Sequence, residues 1–341
     1  MIRAAIVGLG RWGRSLVNAV TGKGDGGDHE LLFVAGTTRT RVKAEDFCRS
    51  KQIKLVDSYD DILRDPDIDA VVLATPHSQH QAQALSAIAA KKHVFVEKPL
   101  TLDLASARVV ADAAHKSGLI LAVGFTRRFH PSIGELRARI ADGRLGNVIA
   151  LVAQHTTSTA QFIAPDNWRA EPEEAPAGAF TAVGVHALDH MIEFAGRVRD
   201  VRCVTARNYP GPSDDTTTIM LRFATGATGL IFGSVATATN FSFASYGTKG
   251  LAEITRADLS HFRFTPASTA APTGLVTAPP DEVLEFSGFD MLRAQLTAFA
   301  HAIRDGNAYP VPIADVLHGM AVFDAIVASA KRGGDAIAVS E

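Results

Sequence analysis

Ala4-Ala5-Ile6-Val7-Gly8-Leu9-Gly10-Arg11-Trp12-Gly13 is the stretch that decides how the rest of the chain is read. An apolar β-like run leads straight into G-x-G-x-x-G, and a helical segment follows. In that setting the first glycine permits a tight turn, the second lets the backbone approach a pyrophosphate, and the third lets the helix pack close to the strand. The N–H groups of the helix N-terminus are then free for the phosphates. Gly8, Gly10 and Gly13, with Arg11 and Trp12 between them, are therefore candidate cofactor contacts; a plain glycine turn is the simpler alternative. Working outward, further apolar runs recur at Leu31–Ala35, Ala70–Ala74, His93–Glu97 and Leu119–Phe125. They are continuous rather than alternating, as expected for strands buried on both faces of a parallel sheet. Between them Val42–Lys51, His80–Ala90 and Leu104–Lys116 carry helical spacing. Strand and helix in alternation give a doubly wound α/β domain over residues 1–125.

Beyond Phe125 the rhythm changes, and residues 126–341 read as a second, α+β domain. A helix-like segment at Ile133–Ala141 precedes Val148–His155 and an irregular stretch rich in Pro and Ala. Thr-rich, Gly-punctuated runs follow at Val201–Ala206, Thr216–Phe223, Thr228–Val235, Phe241–Tyr246 and Leu251–Thr255. With no long helix between them they point to a large open, mostly antiparallel sheet. Residues 265–281 read as a surface loop, and helices at Met291–Arg304 and Ile313–Lys331 close the chain and could pack back on the first domain.

Composition narrows the function classes. The chain has 341 residues, enough for about two domains, with 47% hydrophobic and 21% charged residues. The net charge of −2 gives no bulk footprint for nucleic acid. Two cysteines, Cys48 and Cys203, are too few for a disulfide framework or a structural zinc site. No apolar run reads as a membrane span, and Arg11 and Arg14 interrupt the N-terminal one before a signal-like segment develops. A cytoplasmic location is the expectation.

The cofactor is read from the end of the second strand. NAD recognition usually places an acid there to accept the ribose hydroxyls. Here the strand ends Gly36-Thr37-Thr38-Arg39-Thr40-Arg41, with hydroxyls and two arginines. Arg39 could pair with a 2′-phosphate and Thr38 could hydrogen-bond it, which favours NADP with NAD as the alternative. Either arginine could equally be an ordinary solvated charge. The glycine-rich insert Gly22–Asp28 accounts for the long spacing from Gly10.

Two more motifs fall after strands, where open α/β sheets bind ligands. Ala74-Thr75-Pro76-His77-Ser78-Gln79-His80 follows the third apolar run, and Glu97-Lys98-Pro99 follows the fourth. Thr75, Pro76, His80, Glu97 and Lys98 are candidate cofactor contacts. For His80, capping or packing is the competing role. Lys98, between an acid and a proline, reads as a surface turn or as a cation that binds and polarises a substrate oxygen.

At this point the chain resembles the family of glucose–fructose oxidoreductase, inositol 2-dehydrogenase and their MocA-like relatives. The stretches that carry the resemblance are GLGRWG (8–13), ATPHSQH (74–80), VFVEKP (94–99), GFTRRFHP (124–131), NWR (167–169) and GVHALD (184–189), in family order. The resemblance implies an N-terminal Rossmann domain and a C-terminal domain with a large open sheet. It also implies a substrate cleft between the two and homodimers or homotetramers that pack through that sheet. It further implies hydride transfer between NAD(P) and a small sugar, polyol, cyclic diol or carbonyl compound. Carried over by residue, Lys98 is the main catalytic or substrate-orienting cation, and His186 is the histidine of the D-x-G-x-H pattern. The aspartate of that pattern falls on Ala182, a departure that leaves His186 to be oriented by something else; Thr181 and Asp189 are near in sequence.

Hydride transfer to or from a carbinol carbon needs a group to take or give the hydroxyl proton. Histidine, with a pKa near ~6.5, does either near neutrality, whereas lysine at ~10.4 suits holding the oxygen. His186 is therefore read as acid/base with Lys98 as its electrostatic partner; the converse assignment and a purely structural His186 stay open. Arg127 is assigned to the cofactor; Arg128, Trp168, Arg169 and Thr181 are assigned to the substrate with Lys98 and His186. Arg128 could instead pair with an acid, and Trp168 could cap the core. His186 and His190 have zinc-compatible spacing, but no strong third ligand declares itself, so no metal is expected. Two rivals remain, a non-catalytic nucleotide-sensing regulator and a redox-neutral enzyme that recycles a bound nicotinamide.

Overall fold

The computed structural model describes residues 1–21, 30–163, 167–211, 213–270, 276–277 and 279–340. The glycine-rich insert at 22–28 lies outside them, apart from its flanks. Contacts divide the chain into two units, Met1–Thr126 with Asp290–Met320, and Arg127–Phe289 with Ala321–Glu341.

The first unit is built on a six-stranded parallel sheet in the order β3-β2-β1-β4-β5-β6. Its strands are β1 (Ile2–Val7), β2 (Leu31–Thr37), β3 (Lys54–Leu55), β4 (Ala70–Leu73), β5 (His93–Val96) and β6 (Leu121–Val123). Ala4 to Val7 and Ala70 to Leu73 are buried throughout, which is why their sequence is apolar without alternation. Helices α1 (Arg11–Val20), α2 (Glu45–Ser50), α3 (Tyr59–Arg64), α4 (His80–Ala89) and α5 (Leu104–Lys116) connect them. Every strand pair is parallel, and the order reverses direction between β1 and β4. That reversal opens the crevice where this architecture takes its ligands. The predicted helix at 42–51 begins instead as a 3-10 turn, Arg41–Lys43, before α2. The short β3 and α3 gave too few residues for periodicity to register, although α3 carries a Ser58/Asp61 capping box. From the C-terminal part of the chain, the helix Met291–Asp305 packs on α1, β1 and β2, with Phe299 edge-on to Phe95 at 5.7 Å.

The second unit contains α6 (Pro131–Ala141), β7 (Val148–Thr156), α7 (Val185–Ala195), β8 (Val198–Ala206), β9 (Thr216–Phe223), β10 (Thr228–Ser234), β11 (Asn240–Gly247), β12 (Gly250–Thr255) and β13 (His261–Pro266). β14 (Thr269–Ala270), β15 (Val276–Thr277) and β16 (Glu282–Glu285) follow. The helix Met291–Asp305 is α8, and α9 (Ile313–Lys331) and β17 (Ile337–Ala338) end the chain. Nine strands form one sheet, ordered β16-β13-β12-β11-β7-β10-β9-β8-β17. It is antiparallel except where β7 runs parallel to β10. One face, with Leu151, Ile219, Ile231, Phe243 and Phe262, is buried; α7 packs on β7 and β10, and α6 on β12. The other face leaves Met220, Leu230 and Tyr246 exposed. The expected loop at 265–281 holds the end of β13 and the β14–β15 pair, with 271–275 and 278 outside the described residues. By length and composition α9 is apolar enough to cross a membrane, which corrects the reading that no run approaches a span. Half of that window is buried inside the protein, and Val322, Phe323 and Ile326 are core residues.

Candidate active site

The turn after β1 shows a different requirement at each glycine. Gly8 has φ of +99°, and a Cβ there would lie 2.6 Å from the Ala74 carbonyl oxygen. At Gly13 a Cβ would meet the Gly8 carbonyl oxygen at 1.9 Å, so α1 can approach the sheet only as glycine. Gly10 is unlike both: nothing lies within 4 Å of its Cβ position. It is the N-cap of α1, no side chain caps the helix, and the first turn holds no acid. Uncapped N–H donors beside open space are what a pyrophosphate needs, so these residues fit a dinucleotide.

A cleft of about 560 Å³ opens beside this turn, lined among others by Gly10, Arg11, Arg14, Thr38, Thr40 and Lys43. Arg14 is braced within it, its Nε donating to the Leu9 carbonyl at 3.2 Å, its Nη2 to the Lys43 carbonyl, and its guanidinium lying over Phe47 at 5.1 Å. Thr38 lines the cleft as expected. Arg39 is exposed and does not line it, and Arg41 is engaged by Asp57 at 2.7 Å and by the Leu55 carbonyl. The cations at the cleft are therefore Arg11, Arg14 and Lys43. Sequence reading missed Arg14, on α1, and Lys43, in the 3-10 turn, because nothing local shows which way a basic side chain is aimed.

After β4, Thr75 donates through Oγ1 to Gln83 at 2.6 Å, and Pro76 precedes the 3-10 turn His77–Gln79. His80 is fully buried, with Nδ1 2.9 Å from the Pro99 carbonyl oxygen and Nε2 3.2 Å from that of Thr75. The capping or packing reading of His80 is the one these contacts support: both ring nitrogens face backbone carbonyls, and the residue ties the 74–80 turn to the Glu97-Lys98-Pro99 turn. At that second turn Lys98 is half-buried and joined to Pro99 by a cis peptide bond. Glu97 is 6% exposed, and burial pushes its carboxyl up to about 7. Gly124, after β6, is pressed against it: a Cβ there would stand 2.9 Å from Glu97 Oε1.

In the second unit the arginines after β6 turn inward. Arg128 is buried and grips Asp189 of α7 with two bonds of 2.8 Å, Nε to Oδ2 and Nη2 to Oδ1. The acid-pair reading of Arg128 therefore replaces the substrate reading. Each carboxylate oxygen of Asp189, on the helix that carries His186, thus accepts a bond from Arg128. Arg127 lies over the Phe241 ring at 4.4 Å, with Nη2 3.4 Å from the His155 ring. Burial lowers its guanidinium pKa.

His186 stands in the first turn of α7, 8% exposed, directly after a π-helical turn at Phe180–Gly184. Such turns concentrate at functional sites, and no sequence period announces them. Thr181 is buried and its hydroxyl donates to the Pro176 carbonyl, so that hydrogen is spent on backbone and not on a substrate. Ala182, where the family pattern has its acid, is exposed on the same turn. His190 is packed, stacked with Phe194 at 6.3 Å and edge-on to Phe243 at 5.6 Å. Among the described residues no three His, Cys, Asp or Glu side chains gather as a metal site. Trp168 and Arg169 pair with each other, the guanidinium 4.2 Å from the ring centre.

Comparison with known proteins decides the family. A model described as "Oxidoreductase family, NAD-binding Rossmann fold" matches residues 2–125, and one for the "GFO/IDH/MocA C-terminal domain" matches residues 133–253. The chain belongs to the GFO/IDH/MocA oxidoreductase family. Among the relatives of this GFO/IDH/MocA protein is trans-1,2-dihydrobenzene-1,2-diol dehydrogenase of Oryctolagus cuniculus, 28% identical over 229 residues, 67% of this chain and 68% of the relative. Another is scyllo-inositol 2-dehydrogenase (NAD(+)) of Bacillus subtilis, 36% identical over 154 residues, 43% of this chain and 42% of the relative. The chain thus spans about two thirds of the length of the first relative and less than half of the second. In fold it is similar to levoglucosan dehydrogenase in complex with NADH and L-sorbose, with a TM-score of 0.86 and 21% identity, covering 100% of this chain and 99% of that one. The Rossmann sheet and the mostly antiparallel second sheet are both features of this family's fold.

Proposed function

We propose that this protein is an NADP(H)-preferring oxidoreductase acting on a small polyhydroxylated, cyclic-diol or carbonyl compound. The observation that carries the reading is the uncapped Gly10 cradle opening into a cleft whose charged lining is Arg11, Arg14 and Lys43, with no acid at the end of β2. A carboxylate there would repel a 2′-phosphate; cations and the Thr38 and Thr40 hydroxyls receive it. Nicotinamide, when bound, supplies or accepts the hydride. Lys98 is proposed to hold and polarise the substrate oxygen, and His186 to take or give its proton, the role for which imidazole is generally suited near neutrality. Bracing of the Lys98 turn through His80 and of α7 through Arg128 supports both assignments, since a catalytic group works only when held in place.

The same reading includes a homodimer or homotetramer formed through the exposed sheet face. Its middle is apolar, with Met220, Leu230 and Tyr246, while Arg222–Asp200 and Arg263–Glu253 pairs lie toward its two sides. A cytoplasmic location is proposed with it.

Fluorescence titration with NADPH and NADH tests the cofactor, and a nicotinamide-absorbance screen of sugars, cyclitols, dihydrodiols and aldehydes tests the activity. Tighter NADPH binding with turnover on at least one class is the expected result. Equal or reversed affinities overturn the preference, and binding without turnover across the panel favours a cofactor-sensing protein. Sedimentation of wild type against Leu230→Lys tests the sheet face, with a shift to monomer expected.

A further inference from the structure

We propose that Glu97 is a positioning residue that acts through Lys98, its buried carboxylate holding the neighbouring ammonium in its charged and oriented form. The inference rests on the role given above to Lys98. It starts from an acid in an unusual place: Glu97 directly follows the interior strand β5, is almost wholly buried, and its Oε1 has no hydrogen-bond partner among the described residues. Burying a carboxylate is costly, so a site that keeps one commonly uses it.

The surroundings show what it can act on. From α1 it is faced by Trp12, whose indole Nε1 is also buried without a completed hydrogen bond, and from the end of β6 by Gly124. Neither carries charge. The charged group that acts on Glu97 is Lys98, through its ammonium and through its backbone N–H. Gly124 backs closely on the carboxyl, since a Cβ built there would lie 2.9 Å from Oε1. Trp12 and Gly124 thus flank the acid, and Lys98, half-buried and next in the chain, is the cation whose charge favours its ionised form. Burial dominates the carboxyl's titration and brings it to about 7, so the carboxylate is present on the alkaline side of neutrality and lost on the acid side. Below that point Lys98 loses its counter-charge. Proton coupling between two such groups is reciprocal, so removing Lys98 must in turn make the Glu97 carboxylate harder to form.

The test uses the full chain with Glu97→Gln, which keeps size and removes charge, and Lys98→Met. Glu97→Gln is expected to retain the native circular dichroism spectrum. Its kcat at pH 8 should fall about tenfold, and the rise of wild-type kcat through neutrality that Glu97 contributes should vanish. Difference infrared spectroscopy, which needs no turnover, follows the protonated Glu97 carboxyl directly, with Glu97→Gln identifying its band. In Lys98→Met that titration should move up by about one pH unit. An unmoved carboxyl titration, or an unchanged pH profile in Glu97→Gln while Lys98→Met is inactive, overturns the proposal and leaves the role of Lys98 standing. Full activity in Lys98→Met overturns both, because Glu97 would then have nothing to position.

Discussion

The two units reach a site by different means. In the first, the requirements are local and made by backbone: Gly8 needs its positive φ, Gly13 needs its missing Cβ, and Gly10 leaves room in front of uncapped N–H groups. In the second, the elements are tied by partners distant in sequence. Arg128 reaches Asp189, on the helix of His186, 61 positions away, and Arg139 ties α6 to Glu282 of β16, 143 positions away. A site made of backbone can be read from ten residues, whereas one made of long-range pairs can be read only once the fold is known.

If this contrast holds, the largest effect comes from breaking the anchor of the second unit. Arg128→Ala leaves Asp189 buried and unpaired and should cost about 3–5 kcal/mol in denaturant unfolding. A cost of a few tenths would mean that α7 is held mainly by apolar packing. Glu97→Gln should act in the opposite direction on stability. Glu97 titrates near 7 when folded against 4.5 for the free side chain, so unfolding releases its proton between those values. Native stability therefore falls as pH rises through that window, and above it the cost of the buried charge is fully present. The variant should be more stable than wild type at pH 8, by on the order of 2–3 kcal/mol, and no more stable at pH 4. Thermal melts at the two values check this.

Smaller effects separate chemistry from binding. Lys98→Ala and His186→Ala should each lower kcat by roughly 10²-fold while NADPH affinity stays within about twofold. Steady-state rates beside fluorescence titrations give both numbers. Full activity in either variant removes that residue from the mechanism. Lys43→Glu should weaken NADPH relative to NADH by about tenfold, the scale of one charge-assisted contact. Arg39→Asp should do less, since Arg39 is exposed and does not line the cleft. The reverse ranking would return the recognition role to Arg39.

Much of the first unit was legible because its signals are periodic or stereochemical. Ala70–Leu73 and His93–Val96 stand where their unbroken apolar runs placed strands, and α5 spans the expected Leu104–Lys116. Short elements such as β3 and α3 escaped because they are shorter than the period that would reveal them. In the candidate site, His80 kept two readings in sequence, because its position after a strand end says nothing about which way its ring turns. Arg128 could be given its acid only by folding α7 beside it. The turn at Phe180–Gly184 was invisible because five residues of π-helix resemble any other helical start.

The parallel pairing of β7 with β10 bears on how the chain reaches its native state. β8, β9 and β10 form one meander and β11, β12, β13 and β16 another, and β7 is the strand that stitches them, pairing Leu151 with Gly229 on one side and Ser245 on the other. The segment that carries His186 lies between β7 and β8, inside the loop that this pairing closes. Contacts of such long sequence separation form late, because a large loop must be closed before any of them is made. The Rossmann strands can therefore assemble from near neighbours while the histidine's surroundings await the final closure of the second sheet. A nascent or partly unfolded chain would then recover dinucleotide binding before it recovers turnover.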